Sequence, residues 1–295
     1  METNTIFNEN CLDTMSRMPD NFIDLTVTSP PYDNLRDYTK ECDWTFELFQ
    51  SIAKEIFRVT KNGGVVVWIV GDATIKGSET GTSFKQALYF KDVCGFRLHD
   101  TMIYQKDANP FPETTRYYPR FEYMFILSKG KPKTFNAICD VKNKNGGKKL
   151  SISGTGRQKD GTLKPSSFIK NEPGKKYKQY GMRGNVWMFS PGWMKSTADK
   201  EAYKIPAIFP EQLANDHIVS WSNEDDLVYD PFMGSGTTAK MAILNNRNFI
   251  GSEISSEYHT IALNRIANFS PNTATNNDEK EGNTQEVFCK QLRLF

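Results

Sequence analysis

The 295-residue chain lacks several features that would have pointed its chemistry elsewhere. It holds five cysteines, at 11, 42, 94, 139 and 289, an odd number with no CxxC pair. That pattern speaks against a structural zinc site and against a disulfide framework, and it fits a reducing cytosol. The three histidines, 99, 217 and 259, stand alone, with none of the spacing that holds a metal. The longest apolar run, residues 65–70, is far too short to cross a bilayer. The opening Met-Glu-Thr-Asn-Thr has no basic start leading into an apolar stretch, so a cytoplasmic location is expected. Neither GxxxxGK[ST] nor GxGxxG occurs, which sets aside the usual triphosphate loop and the dinucleotide fingerprint.

The bulk composition, 38 % hydrophobic and 24 % charged, is that of a globular protein. The length suits one large domain with an insertion, or two modest domains. A net charge of +2 conceals a strong asymmetry. Residues 129–183 hold fifteen Lys/Arg against three Asp/Glu, and the rest of the chain holds 22 basic against 32 acidic residues. A segregated basic block on an acidic body fits an insert that binds a polyanion. A solvated flexible loop has the same composition, and charge alone leaves both readings open.

Hydrophobic periodicity predicts a regular α/β alternation on either side of that block. Phe22-Ile23-Asp24-Leu25-Thr26-Val27 is β-branched and ends at Ser-Pro-Pro, where two prolines stop a ladder. Residues 44–60 place Phe46, Phe49, Ile52, Ala53, Ile56 and Phe57 at helical spacing. Asn62-Gly63-Gly64 is expected to end that helix, and 65–70 to follow as a buried strand of a parallel sheet. A second helix is expected near 83–92, then strands at 96–106 and 121–127 that form an antiparallel hairpin at the sheet edge. The block from 129 to 200 is loop-like and closes with Tyr177, Tyr180, Trp187, Phe189 and Trp193. Strands at 226–230 and 249–253 alternate with helices at 236–244 and 256–266, which implies a doubly wound parallel sheet. Residues 270–284 are polar and read as a flexible tail.

Two short motifs carry the chemistry, each at the carboxyl end of a predicted strand. Asp230-Pro231-Phe232-Met233-Gly234-Ser235-Gly236-Thr237-Thr238 makes a tight turn into a helix. Its glycines let backbone approach a ligand, and the free N–H groups at the helix start favour an anionic group. Glu253, at the end of the next strand, stands where an acid grips ribose hydroxyls. Thr28-Ser29-Pro30-Pro31-Tyr32 suits another task. Proline cannot donate a hydrogen bond, so neighbouring carbonyls are left as acceptors. The Pro30 carbonyl and the Ser29 hydroxyl could both accept from an –NH2 group, and Tyr32 could stack on the ring that carries it. An aromatic amine is a poor nucleophile because its lone pair is delocalised; two acceptors that draw its hydrogens out of plane partly free that pair. Reaching such an atom in DNA requires a flipped base.

Val27-Thr28-Ser29-Pro30-Pro31-Tyr32 together with Asp230-Pro-Phe-Met-Gly-Ser-Gly-Thr237 resembles the amino-group DNA methyltransferases of restriction-modification systems. The order of catalytic motif, basic insert and cofactor motif resembles their β-type arrangement, a circular permutation of the usual sheet. Pro206-Ala-Ile-Phe-Pro-Glu211 is similar to the segment that the family places before its cofactor motif. The resemblance spans roughly residues 5–268. It implies an α/β fold, a permuted Rossmann-like methyltransferase sheet with an inserted target-recognition region. The expected divisions are 1–128 as the catalytic half, 129–200 as the insert, 201–269 as the cofactor half and 270–295 as the tail. S-adenosyl-L-methionine is the implied cofactor, with Asp230, Phe232, Gly234, Ser235, Gly236 and Thr237 around its methionine end and Glu253 on the ribose. The stretch 8–12, with Asn10 and Cys11, resembles the permuted third cofactor motif, although family members often have Gly-Asp where this chain has Glu9-Asn10.

Ser29 as the first residue of the catalytic tetrad Ser29, Pro30, Pro31 and Tyr32 is similar to the cytosine-N4 signature; adenine-N6 enzymes more often carry Asp or Asn there. No Pro-Cys dipeptide stands where cytosine-C5 enzymes keep a nucleophile, which fits direct attack by the amine. Double-stranded DNA is the expected partner. Lysines such as Lys175 and Lys176 would touch phosphates, while Arg157 or Arg183 could read guanine edges. A partner restriction endonuclease is a further expectation of the resemblance. RNA or protein-amide methylation, and a non-catalytic DNA-binding protein of this fold, are the rival readings. The chain closes on Gln291-Leu292-Arg293-Leu294-Phe295, where Gln291, Leu292, Leu294 and Phe295 resemble the pentapeptide by which bacterial proteins dock on the replication sliding clamp. A frayed terminal turn or an apolar end packed on the body is the alternative, slightly favoured over clamp docking, and binding of a 291–295 deletion to purified clamp separates them.

Overall fold

The computed structural model describes residues 1–31, 44–107, 114–149, 155–165, 176–206 and 208–268. Tyr32, Lys175 and the terminal Gln291, Leu292, Leu294 and Phe295 lie outside the described residues. Two compact units are formed, Met1–Asn136 with Asn185–Phe295, and Ala137–Gly184.

The first unit is built on an eight-stranded sheet. In chain order its strands are β1 (Thr5–Phe7), β2 (Ile23–Thr28), β3 (Thr60–Val70), β4 (Arg97–Lys106), β5 (Phe121–Ser128), β6 (Val186–Phe189), β7 (Leu227–Asp230) and β8 (Asn248–Ser252). They lie side by side as β1-β8-β7-β2-β3-β5-β4-β6. The first five in that order run parallel, β5 is antiparallel to both β3 and β4, and β6 runs parallel to β4. The hairpin of β4 and β5 is present as expected. The sheet continues one strand further, because Val186–Phe189 pairs with Ile103–Lys106. Trp187 and Phe189, placed in the basic insert by composition, are therefore edge-strand residues of the main sheet.

Helices α1 (Cys11–Ser16), α2 (Phe46–Val59), α3 (Thr82–Tyr89), α4 (Glu211–Trp221), α5 (Thr237–Leu244) and α6 (Ser256–Ala267) complete the unit. Helix α2 starts at Thr45, whose hydroxyl accepts from the Leu48 N–H at 3.2 Å and satisfies one orphan donor of the first turn. Its Phe49, Ile52, Ala53, Ile56 and Val59 are buried and join the core formed with Val66, Trp68 and Val70 of β3. Phe49 meets Trp68 and Phe90 at centroid distances of 5.8 and 5.2 Å. Burying such large rings supplies much of the favourable free energy of a core. No described helix is long and apolar enough to cross a membrane.

The second unit, 137–184, is narrower than the basic block read from composition. Its described strands are short antiparallel pairs, Thr155–Arg157 with Leu163–Pro165 and Tyr180–Gly181 with Val141–Lys142.

Candidate active site

The two sequence motifs meet at the carboxyl edge of the sheet. Strands β2 and β7 are parallel neighbours, with Val228 opposite Leu25 and Tyr229 opposite Thr26. Two residues further on, Thr28 Oγ1 donates to Asp230 Oδ1 at 2.6 Å across 202 positions of sequence. Asp230 Oδ1 also accepts from the Phe232 N–H at 3.0 Å, and Thr238 Oγ1 lies 2.8 Å from Oδ2. The same threonine hydroxyl is 3.2 Å from the Val27 carbonyl. Asp230 is buried, and burial pushes its carboxyl up to about 6 against the lowering effect of Thr28, Thr238 and the Phe232 N–H. It ties the strand that precedes Ser29 to the strand that precedes the Gly-Ser-Gly turn.

The turn that follows β7 needs glycine. Gly236 has φ +80 and precedes α5, and a Cβ there would meet the Ala262 Cβ at 3.1 Å, so α6 packs close against the turn. At Gly234, φ +52, a Cβ would meet nothing nearer than the Phe232 carbonyl at 3.8 Å, which leaves that face of the turn open to a ligand. Phe232 is half-buried and stands edge-on to Trp44 at 5.4 Å. Ser235 and Thr237 are buried.

Glu253 closes the neighbouring strand end. Its Oε2 accepts from the Gly234 N–H at 2.8 Å and its Oε1 from the Ser255 N–H at 2.9 Å. Burial raises its carboxyl, while the Ser255 and Gly234 amides oppose the rise. Each oxygen keeps a second lone-pair direction, so the carboxylate can still accept from two hydroxyls of a sugar. The N-terminal stretch reaches the same place. Asn8 Nδ2 donates to the Glu253 carbonyl at 2.8 Å, and the Glu253 N–H donates to the Phe7 carbonyl at 3.0 Å. Asn10 caps α1 by accepting from the Leu12 N–H at 2.9 Å, and Cys11 is buried beside it. Ser29 and Pro31 are half-buried and Pro30 is buried. The carboxyl ends of β1, β8, β7 and β2 thus carry, side by side, the residues that the sequence had set at opposite ends of the chain.

A family model described as DNA methylase, of the N6/N4 type, matches residues 23–264. The chain belongs to the N6/N4 DNA methylase family. The orphan methyltransferase M.BamHII of Bacillus amyloliquefaciens is 58 % identical over 247 residues, covering 84 % of this chain and 89 % of that protein. The DNA adenine methyltransferase YhdJ of Escherichia coli strain K12 is 30 % identical over 277 residues, covering 90 % and 83 %. The solved PvuII DNA methyltransferase, specific for cytosine N4, superposes with a TM-score of 0.65 over 99 % of this chain and 92 % of its own, at 18 % identity, a likeness of fold. This methylase is a DNA amino-methyltransferase, and S-adenosylmethionine is its methyl donor.

The DNA-contact candidates of the methylase lie in its second unit. Arg157 is exposed on the strand Thr155–Arg157, and Lys176 is exposed opposite Lys149. Arg183 differs: its Nε donates to Asp140 Oδ2 at 2.9 Å and its Nη2 donates to the same oxygen, so an ion pair occupies the fork expected to read guanine. Sequence reasoning missed Thr28 and Thr238 as partners of Asp230; the doubled threonine after Gly236 was the available signal. Helix α4 was missed as well. It follows Pro206-Ala-Ile-Phe-Pro210, and Glu211 in its first turn is part of a buried charge cluster. His217 of the same helix stacks on Trp187 at 4.6 Å.

Proposed function

We propose that this methylase transfers a methyl group to N4 of cytosine within a short, specific sequence of double-stranded DNA. The observation that carries the base is Ser29, which follows Val27-Thr28 and heads the tetrad at the end of β2. In this reading the target base leaves the helix stack, the Ser29 hydroxyl and the Pro30 carbonyl accept the two hydrogens of its amino group, and Tyr32 stacks on its ring. The amine lone pair, no longer fully conjugated, is then aimed at the methyl group. S-adenosylmethionine supplies that methyl on a positively charged sulfur.

The open face at Gly234 and the spare acceptor directions on Glu253 fit this cofactor. Phe232, Gly234, Ser235, Gly236 and Thr237 would surround its methionine end, with Asp230 holding the turn from within. Glu253 would take the ribose hydroxyls, with Asn10 and Cys11 on the adenine side. Arg157, Lys175 and Lys176 are the proposed phosphate or base contacts, and 129–200 is the proposed target-recognition segment.

Adenine N6 is the second reading, favoured by the name of the E. coli relative at 30 % identity. Nucleoside analysis of plasmid DNA treated with the purified protein separates the two. N4-methylcytosine is expected, and N6-methyladenine would overturn the cytosine assignment while leaving the amino-group chemistry in place.

A further inference from the structure

Lys240 of α5 and Arg265 of α6 are among the most buried cations of the described chain, 5 % and 4 % exposed. Two carboxylates face them. Lys240 Nζ donates to Asp199 Oδ2 at 2.7 Å and to Glu211 Oε1 at 2.9 Å. Arg265 donates from Nε to the same Asp199 oxygen at 3.2 Å and from Nη2 to the same Glu211 oxygen at 2.8 Å. Thr197 Oγ1 adds a bond of 2.6 Å to Glu211 Oε1. Two cations and two carboxylates balance, which is the condition under which buried charge is tolerated.

Charge balance does not explain where the remaining guanidinium nitrogen points. Arg265 Nη1 donates to the Ser235 carbonyl, and to Ser235 Oγ at 2.8 Å. Ser235 is the middle residue of the Gly-Ser-Gly turn, flanked by Gly234 at φ +52 and Gly236 at φ +80. Two glycines give that turn wide backbone freedom, so its shape must be imposed by contacts from outside. A guanidinium is a rigid planar fork. Anchored on Asp199 and Glu211, this one grips the turn at Ser235, while Glu253 Oε2 accepts the N–H of Gly234 one residue earlier.

We propose that Arg265 is a positioning residue for the methyl donor: locked by Asp199 and Glu211, it holds the Ser235 backbone in the shape that receives S-adenosylmethionine. The inference rests on the proposed cofactor role of the turn and adds the residue that shapes it. It also ties cofactor affinity to the segment around Asp199, which joins β6 to α4.

The test is Arg265→Lys, which keeps the buried charge but not the fork. A residue needed only for charge balance tolerates this change. A positioning residue does not: the dissociation constant for S-adenosylmethionine, measured by equilibrium binding without DNA, is expected to rise about tenfold. The kcat at saturating cofactor is expected to stay within about twofold, with the loss in KM. Folded Arg265→Lys protein with wild-type affinity overturns the positioning role. If that variant does not fold, the charge-balanced pair Arg265→Met with Asp199→Asn carries the same measurement and the same expectations. Wild-type protein that binds no S-adenosylmethionine would overturn the cofactor reading of the turn itself, and this inference with it.

Discussion

Among single residues, Asp230 decides how the two motifs are joined. Thr238 Oγ1 lies between Asp230 Oδ2 and the Val27 carbonyl, at 2.8 and 3.2 Å. One hydroxyl proton cannot serve two acceptors fully. The Thr28 and Thr238 hydroxyls and the Phe232 N–H donate to the carboxylate and hold it down, so burial is what pushes the carboxyl up to about 6. The folded value lies above the ordinary 3.8, so folding favours the protonated form. The stability Asp230 contributes is therefore present below about pH 4 and is lost as the pH rises through about 6. The shift corresponds to about 3 kcal/mol. Asparagine is the neutral mimic, its amide donating to Thr238. Asp230→Asn is expected to match the wild type near pH 4 and to exceed its stability at pH 7.5, by up to about 3 kcal/mol. Denaturant unfolding at the two pH values measures this, and a difference independent of pH contradicts it. The placement of Ser29, Gly234 and Glu253 at or just after strand ends was legible in the sequence because it depends on the apolar run that precedes each of them. The contacts of Thr238 and Arg265 were not, because each depends on a partner from a distant element.

Among elements, the sequence misled where a distant segment changes the local rule. Asn62-Gly63-Gly64 reads as a helix stop before a strand at 65, yet β3 begins at Thr60 and runs through both glycines. The reason lies some seventy residues away. The Gly63 N–H donates to the Lys129 carbonyl, and the Lys129 N–H donates to the Gly64 carbonyl, so the glycines form an irregular stretch of β3, between the pairs Ile23–Thr60 and Leu25–Val65, held by the residue that follows β5. At Gly64 a Cβ would meet the Lys61 carbonyl and Thr60 Cγ2 at 2.9 Å and the Asp24 carbonyl at 3.0 Å. Gly64→Ala is therefore expected to destabilise the fold by about 1–3 kcal/mol, read as a lowered denaturant midpoint. Gly156→Ala, where a Cβ meets nothing within 4 Å, is the control and should change stability by less than about 0.5 kcal/mol. Helix α4 escaped detection because Asp216, His217 and Ser220 lie on its buried face and break the apolar period. Strand β6 escaped because four residues after a basic, turn-rich stretch give no period at all.

Across the whole molecule, the permutation is visible in the pairing of the first and last strands. Thr5 pairs with Ile250 and Phe7 with Ser252, so the N-terminal stretch lies beside the strand that ends at Glu253, on the proposed cofactor side. The chain order that set the two motifs far apart leaves room between them for the basic unit 137–184, while the sheet returns them to one edge. The central claim is that this edge is one active site acting on an exocyclic amino group. Methyl-labelled S-adenosylmethionine, incubated with plasmid DNA and either wild-type or Ser29→Ala protein, tests it most directly. Wild-type protein should place the label on an exocyclic base nitrogen. Ser29→Ala should bind the cofactor normally and transfer the label about a hundredfold more slowly. Label on a ring carbon, or undiminished transfer by Ser29→Ala, would contradict the account.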